Sequence, residues 1–221
     1  MQLSAILLAR VIFFVESADL NPRGAAFYPD VIRAFVERYR FQTYPQRAED
    51  FDESKGVTLA MGRLGNVTID KVVIYNWGLS LDTTSSTDDS EELLDSALAW
   101  GAESLHLHYS RDMIKRKSYV SQISFFTDVP MLSLHPMLAT TGDAISSAVK
   151  QHLKLPYKFH PRGIVFGIDP EEQRIPIPPF TLERRDGIAF SENKYFSSAP
   201  VPTRIHLQVV EAFEDAMRRR P

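Results

Sequence analysis

A short turn signal, Gly65-Asn66, constrains the fold of this chain more than any other feature. Apolar residues occupy every second position from 57 to 61 just before it, as expected of a strand with one buried face. A Gly-Asn pair adopts the positive φ angles that a tight two-residue turn requires. The sequence therefore predicts that the strand before the turn pairs antiparallel with the strand after it.

The alternation resumes from 73 to 81 and predicts one long strand across the middle of the fold. Its apolar face is formed by Val73, Tyr75, Trp77, Leu79 and Leu81. On this pattern Trp77 is a core anchor, so its truncation to Ala is expected to cost about 3–5 kcal/mol.

A helix is predicted to start after this strand. The short side chains from Asp82 to Asp89 accept hydrogen bonds from free helix amides, and the acidic ones suit the positive end of the helix dipole. An apolar stripe follows at helical spacing and predicts packing on the sheet. The stripe consists of Leu93, Leu94, Ala97, Leu98, Gly101 and Leu105.

The N-terminal segment from Met1 to Val15 is apolar on both faces, which is typical of a strand at the centre of a sheet. The segment has no positive residues at its start and Arg10 interrupts it, so we expect neither an export signal nor a membrane anchor. It is also shorter than the roughly 20 apolar residues of a membrane-spanning helix.

Further helices are expected near 28–40, 131–155 and 203–217, and further strands near 117–129 and 163–168. The segment 41–56 is expected to form a loop, and Asp186-Gly187 indicates a second tight hairpin. These elements predict an α+β fold in which a mainly antiparallel sheet of about seven strands packs with about four helices. We expect residues 1–221 to form a single globular domain, with a possible subdivision near 170–180.

The net charge and the cysteine content of the chain exclude some classes of functional site. The formal net charge of −3 lacks the basic excess of many nucleic-acid-binding proteins, although a local basic patch is compatible with it. The chain has no cysteine, which excludes disulfides, thiol nucleophiles and cysteine-bound metals. A cysteine-free chain fits a reducing compartment, and we expect a cytoplasmic location.

Asp82 is the candidate catalytic residue. The segment from Leu79 to Ser85 resembles the hydrophobic-Asp-Thr-Gly-Ser loop of aspartic proteases over some seven residues, but Thr84 stands where that family has glycine. The sequence holds one copy of this segment, so a pair of carboxylates sharing a proton would require a dimer. The alternative is that Asp82 and its neighbours cap the following helix.

His106 and His108 are candidate metal ligands, with Asp112 as a third. Two histidines separated by one residue project from the same side of a strand and can reach one metal ion. The alternative is that both are polar surface positions.

A basic cluster is a candidate anion site and contains Arg111, Lys115, Arg116 and Lys117. Tyr109 and Tyr119 flank it, and cations beside aromatic rings can hold phosphates and stack bases. The alternative is a solvated turn. If the cluster binds an anion, we expect binding through charge that weakens steeply with salt.

The leading functional expectation is a binding or assembly protein, a component of a homo- or hetero-oligomer, because fold signals are abundant and catalytic motifs are missing. The sequence contains no G-x-x-x-x-G-K-[ST] loop, no G-x-G-x-x-G loop and no G-x-S-x-G elbow. The alternatives are a divalent-metal hydrolase that uses His106 and His108, and a protein that contacts nucleotides or nucleic acid through the 111–117 cluster. Enzymatic activity is left open, with a non-catalytic role favoured, and we expect no cofactor and no membrane association.

Overall fold

A computed structural model describes residues 1–219 of the chain. It contains eight strands: β1 (Gln2–Phe14), β2 (Val57–Leu64), β3 (Val67–Tyr75), β4 (Gly78–Thr83), β5 (Arg116–Phe126), β6 (Gly163–Phe166), β7 (Phe180–Arg184) and β8 (Lys194–Ala199). It also contains five α-helices: α1 (Ser17–Leu20), α2 (Tyr28–Tyr39), α3 (Thr87–Leu105), α4 (Pro136–Leu153) and α5 (Thr203–Arg218).

The strands form one antiparallel sheet in the order β2-β3-β4-β1-β5-β8-β7-β6. The predicted α+β class is confirmed, with eight strands where about seven were expected. β1 lies inside the sheet between β4 and β5, as its two apolar faces predicted.

The chain divides into two compact units. The 6–122 unit comprises Ile6–Gln122 and Pro200–Arg204. The 123–199 unit comprises Ile123–Ala199 together with Met1–Ala5 and the described residues from Ile205 onward. The expectation that 1–221 is a single globular domain stays a prediction.

In the 6–122 unit, the predicted hairpin is confirmed. Leu64 pairs with Val67, so β2 and β3 are joined by a two-residue turn, and Gly65 takes a φ of 57°. Glycine lacks the Cβ that penalises this conformation, which is why the turn forms at this position.

The predicted long strand from 73 to 81 is wrong, because a second two-residue turn interrupts it. Tyr75 pairs with Gly78, and Asn76 and Trp77 form the connection between β3 and β4. The chain reverses direction at this turn, so Leu79 of β4 lies opposite Ile74 of β3. Leu79 therefore does not continue the face of β3 that carries Val73 and Tyr75. Every residue of β4 is buried, including its polar ones, so both faces of this strand are covered.

Trp77 is therefore an exposed turn residue and the predicted core position is wrong. Its side chain is 42% exposed and stacks on Tyr75 and Phe14, at ring-centroid distances of 4.8 and 5.5 Å. Stacking covers part of the Trp77 ring, but the ring still lies at the surface of the 6–122 unit.

Truncation of Trp77 to Ala is expected to lower the free energy of unfolding by about 1 kcal/mol, since mainly ring stacking is lost. The matched control is Phe13→Ala, because Phe13 is fully buried and its loss is expected to cost about 3–5 kcal/mol. Urea denaturation of both variants measures the difference. Equal costs for the two truncations would contradict an exposed Trp77.

The predicted helix after β4 is confirmed as α3. Its N-cap is Ser86, whose hydroxyl accepts a hydrogen bond from the Asp89 amide at 3.0 Å. From the predicted stripe, residues 93, 94, 97, 98 and 101 are buried. Ser90 ties the helix to the sheet by donating to the carbonyl oxygen of Ala9 at 2.9 Å.

In the 123–199 unit, the predicted tight hairpin at Asp186-Gly187 is wrong. Arg184 pairs with Tyr195, so residues 185–193 connect β7 to β8 where a two-residue turn was expected. Local contacts hold this longer connection, because the Arg184 guanidinium donates to the Phe190 carbonyl oxygen at 2.9 Å and lies over the Phe190 ring. Gly187 does adopt a positive φ of 74°, so the turn signal is local and does not set the strand pairing.

Candidate functional site

Asp82 lies in β4 and is buried. Its two carboxylate oxygens accept hydrogen bonds from Arg10 Nε and a terminal nitrogen of the same guanidinium, at 2.6 and 2.7 Å. Lys71 Nζ approaches at 3.9 Å. The helix-capping alternative is confirmed for the neighbour Ser86, which caps α3, and does not hold for Asp82 itself. The structure gives Asp82 an ion-pairing role, and its catalytic candidacy stays a prediction.

The histidines do not lie on a strand, so the expected strand geometry is wrong. His106 ends α3 in a left-handed conformation with φ of 58°, and His108 follows in a segment without regular structure. His108 Nδ1 lies 3.3 Å from the carbonyl oxygen of Asp19, and Asp112 is exposed. Within residues 1–219, no three His, Asp or Glu side chains are grouped so that they could hold a metal ion. The metal hypothesis therefore depends on the sequence pattern alone.

Three of the four basic residues of the 111–117 cluster are ion-paired. The paired atoms are Arg111 with Asp95 at 2.5 Å, Lys115 with Glu16 at 3.6 Å, and Lys117 with Glu91 at 2.7 Å. Arg116 lies over the ring of Phe14 at 4.0 Å. Neighbouring carboxylates oppose the field of the cations, so the cluster is less suited to an anion than its sequence indicates. The nucleic-acid hypothesis stays a prediction without added support.

Comparison of the sequence with protein-family models gives no match, and comparison with curated proteins gives none either. Across the described residues, no helix combines the length and the apolar character needed to cross a membrane.

A buried pair of Ser197 and His206 was not singled out from the sequence. Ser197 Oγ donates to the carbonyl oxygen of Thr181 at 2.7 Å and lies 2.8 Å from His206 Nε2. Both side chains are completely buried, so this contact does not face a substrate. Burial lowers the pKa of His206 to about 4, which keeps the imidazole neutral near pH 7.

Stability is expected to fall on acidification because of His206. Its pKa is lowered from 6.5 to about 4 by folding, so below about pH 6.5 the unfolded chain binds the proton more tightly. The contribution is fully present above that pH and decreases as the pH falls toward 4, by up to about 3 kcal/mol.

Urea denaturation at several pH values measures this loss, with His206→Gln as the control. Gln keeps a nitrogen donor for Ser197 but does not titrate, so the variant should lose less stability than the wild type between pH 6.5 and 4. Identical pH profiles would contradict the assignment to His206.

The 123–199 unit presents an unusually exposed helix. Among the 18 residues of α4, Gly142 is the buried one. The acidic and basic residues of the helix are Asp143, Lys150 and His152, and large apolar side chains reach solvent instead. These are Met137 (69% exposed), Leu138 (40%), Ile145 (43%) and Leu153 (63%).

Small residues dock α4 onto the chain that follows it. A Cβ on Gly142 would lie 2.5 Å from the Phe159 carbonyl oxygen, so only glycine permits this approach. Ser146 Oγ accepts a hydrogen bond from the Phe159 amide at 2.8 Å. Since small side chains make these contacts, the larger apolar side chains of α4 remain outward.

A groove of about 330 Å³ runs between α4 and β6. Leu138, Ile145 and Phe159 line it and are each at least 40% exposed. Further along β6, Val165 and Phe166 are 64% and 61% exposed, and their side chains point to opposite faces of the sheet. We refer to these five residues together as the α4/β6 surface.

β6 is also an open edge of the sheet. It pairs on one side with β7, and Arg184 N donates to Arg162 O at 2.9 Å just before the strand. Because hydrogen-bonded pairs alternate along an antiparallel ladder, the backbone groups of Gly163 and Val165 face away from β7. They form the free edge.

The other edge strand is protected. Thr43 forms a bridge with Ala60 of β2, and Gln42 N also donates to Ala60 O at 3.2 Å. Met61 interrupts the strand with φ of 55°, and Arg63 adds a charge. Natural edge strands use such covers, bulges and charges to prevent association. The sequence of β6, Gly-Ile-Val-Phe, contains none of these devices.

Proposed function

We propose that this protein is a non-catalytic assembly component that associates with a second copy of itself through the α4/β6 surface. The observation that carries the proposal is the open, uncharged edge of β6 beside exposed apolar side chains of α4. An exposed apolar edge strand is a template for pairing with another chain. Large apolar side chains exposed in one region mark protein interaction sites.

A second copy of this chain suits the edge better than an unrelated partner. Antiparallel pairing of β6 with itself about a two-fold axis places Gly163 of one copy opposite Val165 of the other. Each copy then satisfies the outward amide and carbonyl groups of the other, which is the self-complementarity of an isologous dimer. The pairing adds β6 of the second copy to the sheet as a further antiparallel strand.

Adjacent apolar side chains supply the remaining contact area. A standard interface buries roughly 800 Å² on each partner, more than a four-residue strand alone provides. The exposed apolar residues of α4 and Phe159 lie beside β6 and extend the contact. The low charge of α4 removes the repulsion that would oppose its approach to a copy of itself.

The location that accompanies this proposal is the cytoplasm. The chain has no cysteine and forms no disulfide, which fits a protein of a reducing compartment.

Size-exclusion chromatography with light scattering tests the proposal over a wide range of protein concentrations. The expected molar mass is twice the 25.1 kDa of the chain at high concentration. Val165→Lys places a charge at the edge and should yield the monomer mass at concentrations where the wild type is dimeric.

The matched control is Val209→Lys, because Val209 is a similarly exposed valine on α5 of the same unit. This variant should dimerise like the wild type. A wild-type chain that stays monomeric at all concentrations would exclude self-association. Such a monomer that binds a different protein would also contradict the proposal, in favour of a hetero-oligomer.

A further inference from the structure

The core of the 6–122 unit contains a cavity of about 320 Å³. Side chains of α2 and α3 lie on one side and those of the hairpin strands β2, β3 and β4 on the other. Ala18 lines the cavity and is exposed, so the cavity reaches the surface beside α1. This volume falls in the range of small-molecule sites.

The polar lining of the cavity is confined to a few residues that lie together. Ser17 Oγ donates to a carboxylate oxygen of Glu53 at 2.5 Å. Burial and the charge of the neighbouring Glu53 raise the pKa of the Tyr28 hydroxyl. Glu53 is the charged residue of the lining, and the lining contains no Lys, Arg or His. The polar end of the cavity is therefore acidic.

Two lining tyrosines have buried hydroxyl groups that lack a well-aligned hydrogen bond. Within residues 1–219 neither the Tyr28 nor the Tyr39 hydroxyl oxygen has a partner of regular hydrogen-bond geometry. Glu53 is close enough to raise the pKa of Tyr28, and Arg38 is close enough to oppose the rise that burial causes in the pKa of Tyr39. Tyr39 is only 1% exposed as a whole residue. A buried hydroxyl without a well-aligned hydrogen bond is unfavourable, and a bound molecule with a polar group can supply one.

We propose that this cavity binds a small apolar molecule whose polar end is a neutral hydrogen-bond donor or an amine, held at Glu53. The apolar walls receive its hydrocarbon part, and the Glu53 carboxylate accepts a hydrogen bond from its head group. Glu53 repels a carboxylate or phosphate head, so charge disfavours fatty acids and phosphorylated ligands. Filling the cavity also removes the cost of empty apolar volume in the core.

Isothermal titration with three probes of equal chain length tests this ligand class: decanol below its solubility limit, and decylamine and decanoate below their critical micelle concentrations. Decanol and decylamine should bind saturably with one molecule per chain. Decanoate should bind at least about ten-fold more weakly because of its charge. Glu53→Gln removes the repulsion and should abolish most of this difference.

A cavity-filling pair of variants locates the binding. Ala97 lines the cavity, whereas Ala99 on the same helix is exposed. Ala97→Leu should weaken decanol binding by about ten-fold or more without lowering the melting temperature, since it fills empty space. Ala99→Leu should bind like the wild type.

Three results would overturn the proposal: no saturable binding of any probe to the wild type, unchanged decanol binding in a folded Ala97→Leu variant, or unchanged head-group preference in Glu53→Gln. The Glu53 variant keeps the test decisive if Ala97→Leu does not fold. None of these outcomes depends on self-association, which concerns residues of the 123–199 unit.

Discussion

Replacing Arg10 with Met is expected to lower the free energy of unfolding by about 3 kcal/mol. Arg10 makes two hydrogen bonds to Asp82, whose side chain is only 6% exposed. Removal of one partner of a buried ion pair leaves the other charge without compensation, which typically costs about 3–5 kcal/mol. The lower end applies because Lys71 Nζ lies 3.9 Å from Asp82 and Arg10 itself is partly exposed.

Urea denaturation of a small variant set measures this effect. Arg10→Met with Asp82→Leu should recover much of the loss, because apolar replacement of both partners removes the unpaired charge. Lys71→Met is the control and should cost less than 1 kcal/mol, since Lys71 is 42% exposed on its side chain. A cost below about 1 kcal/mol for Arg10→Met would show that Asp82 does not depend on this partner.

Replacing Val165 with Pro is expected to weaken self-association by about 100-fold while the monomer keeps its stability. The amide of Val165 faces the free edge of β6, so proline removes a hydrogen bond to a second copy and none to β7. Loss of the ladder contact and of the apolar valine together is on the order of 2–3 kcal/mol of binding free energy.

Sedimentation velocity gives the dissociation constant of the dimer for each variant, and two further variants serve as comparisons. Val165→Thr keeps the amide and the branched side chain, so it should lie between the wild type and Val165→Pro. Ile164→Pro removes an amide that faces β7 and should destabilise the monomer itself. Dimerisation of Val165→Pro with wild-type affinity would contradict pairing through the β6 edge.

Elements with strong local signals were predictable from the sequence. The turn at Gly65 and the start of α3 within the run from Asp82 to Asp89 depend on residues within a few positions, and the structure places both as expected. The central position of β1 followed from its two apolar faces. In each case the local preference and the tertiary environment agree.

The misplaced elements are those where tertiary burial overrode a local pattern. The apolar alternation from 73 to 81 runs across a turn, so it does not describe one strand. Since β4 is buried on both faces, its polar residues Ser80 and Asp82 do not mark a solvent-exposed face. The Asp186-Gly187 turn forms, yet strand pairing begins only at Arg184 and Tyr195. A turn signal alone does not determine which residues pair.

Candidate site residues were harder to judge because their partners are distant in sequence. The acidic partners of the 111–117 cluster come from positions 16, 91 and 95, and Asp82 is bound by residue 10. No local pattern predicts these contacts. The apolar periodicity of α4 predicted a helix, but burial of one face depends on what packs against it, which the sequence alone does not specify.

Cross-linking of a single introduced cysteine tests the central claim most directly, because the native chain has no cysteine to interfere. In the proposed pairing the Val165 side chains of two copies lie on one face as diagonal neighbours, roughly 7–8 Å apart. A short bismaleimide should therefore convert Val165→Cys to a covalent dimer under conditions where the matched Val209→Cys variant is not cross-linked. Equal and slow cross-linking of both variants, at concentrations where light scattering detects only monomer, would contradict self-association through the α4/β6 surface.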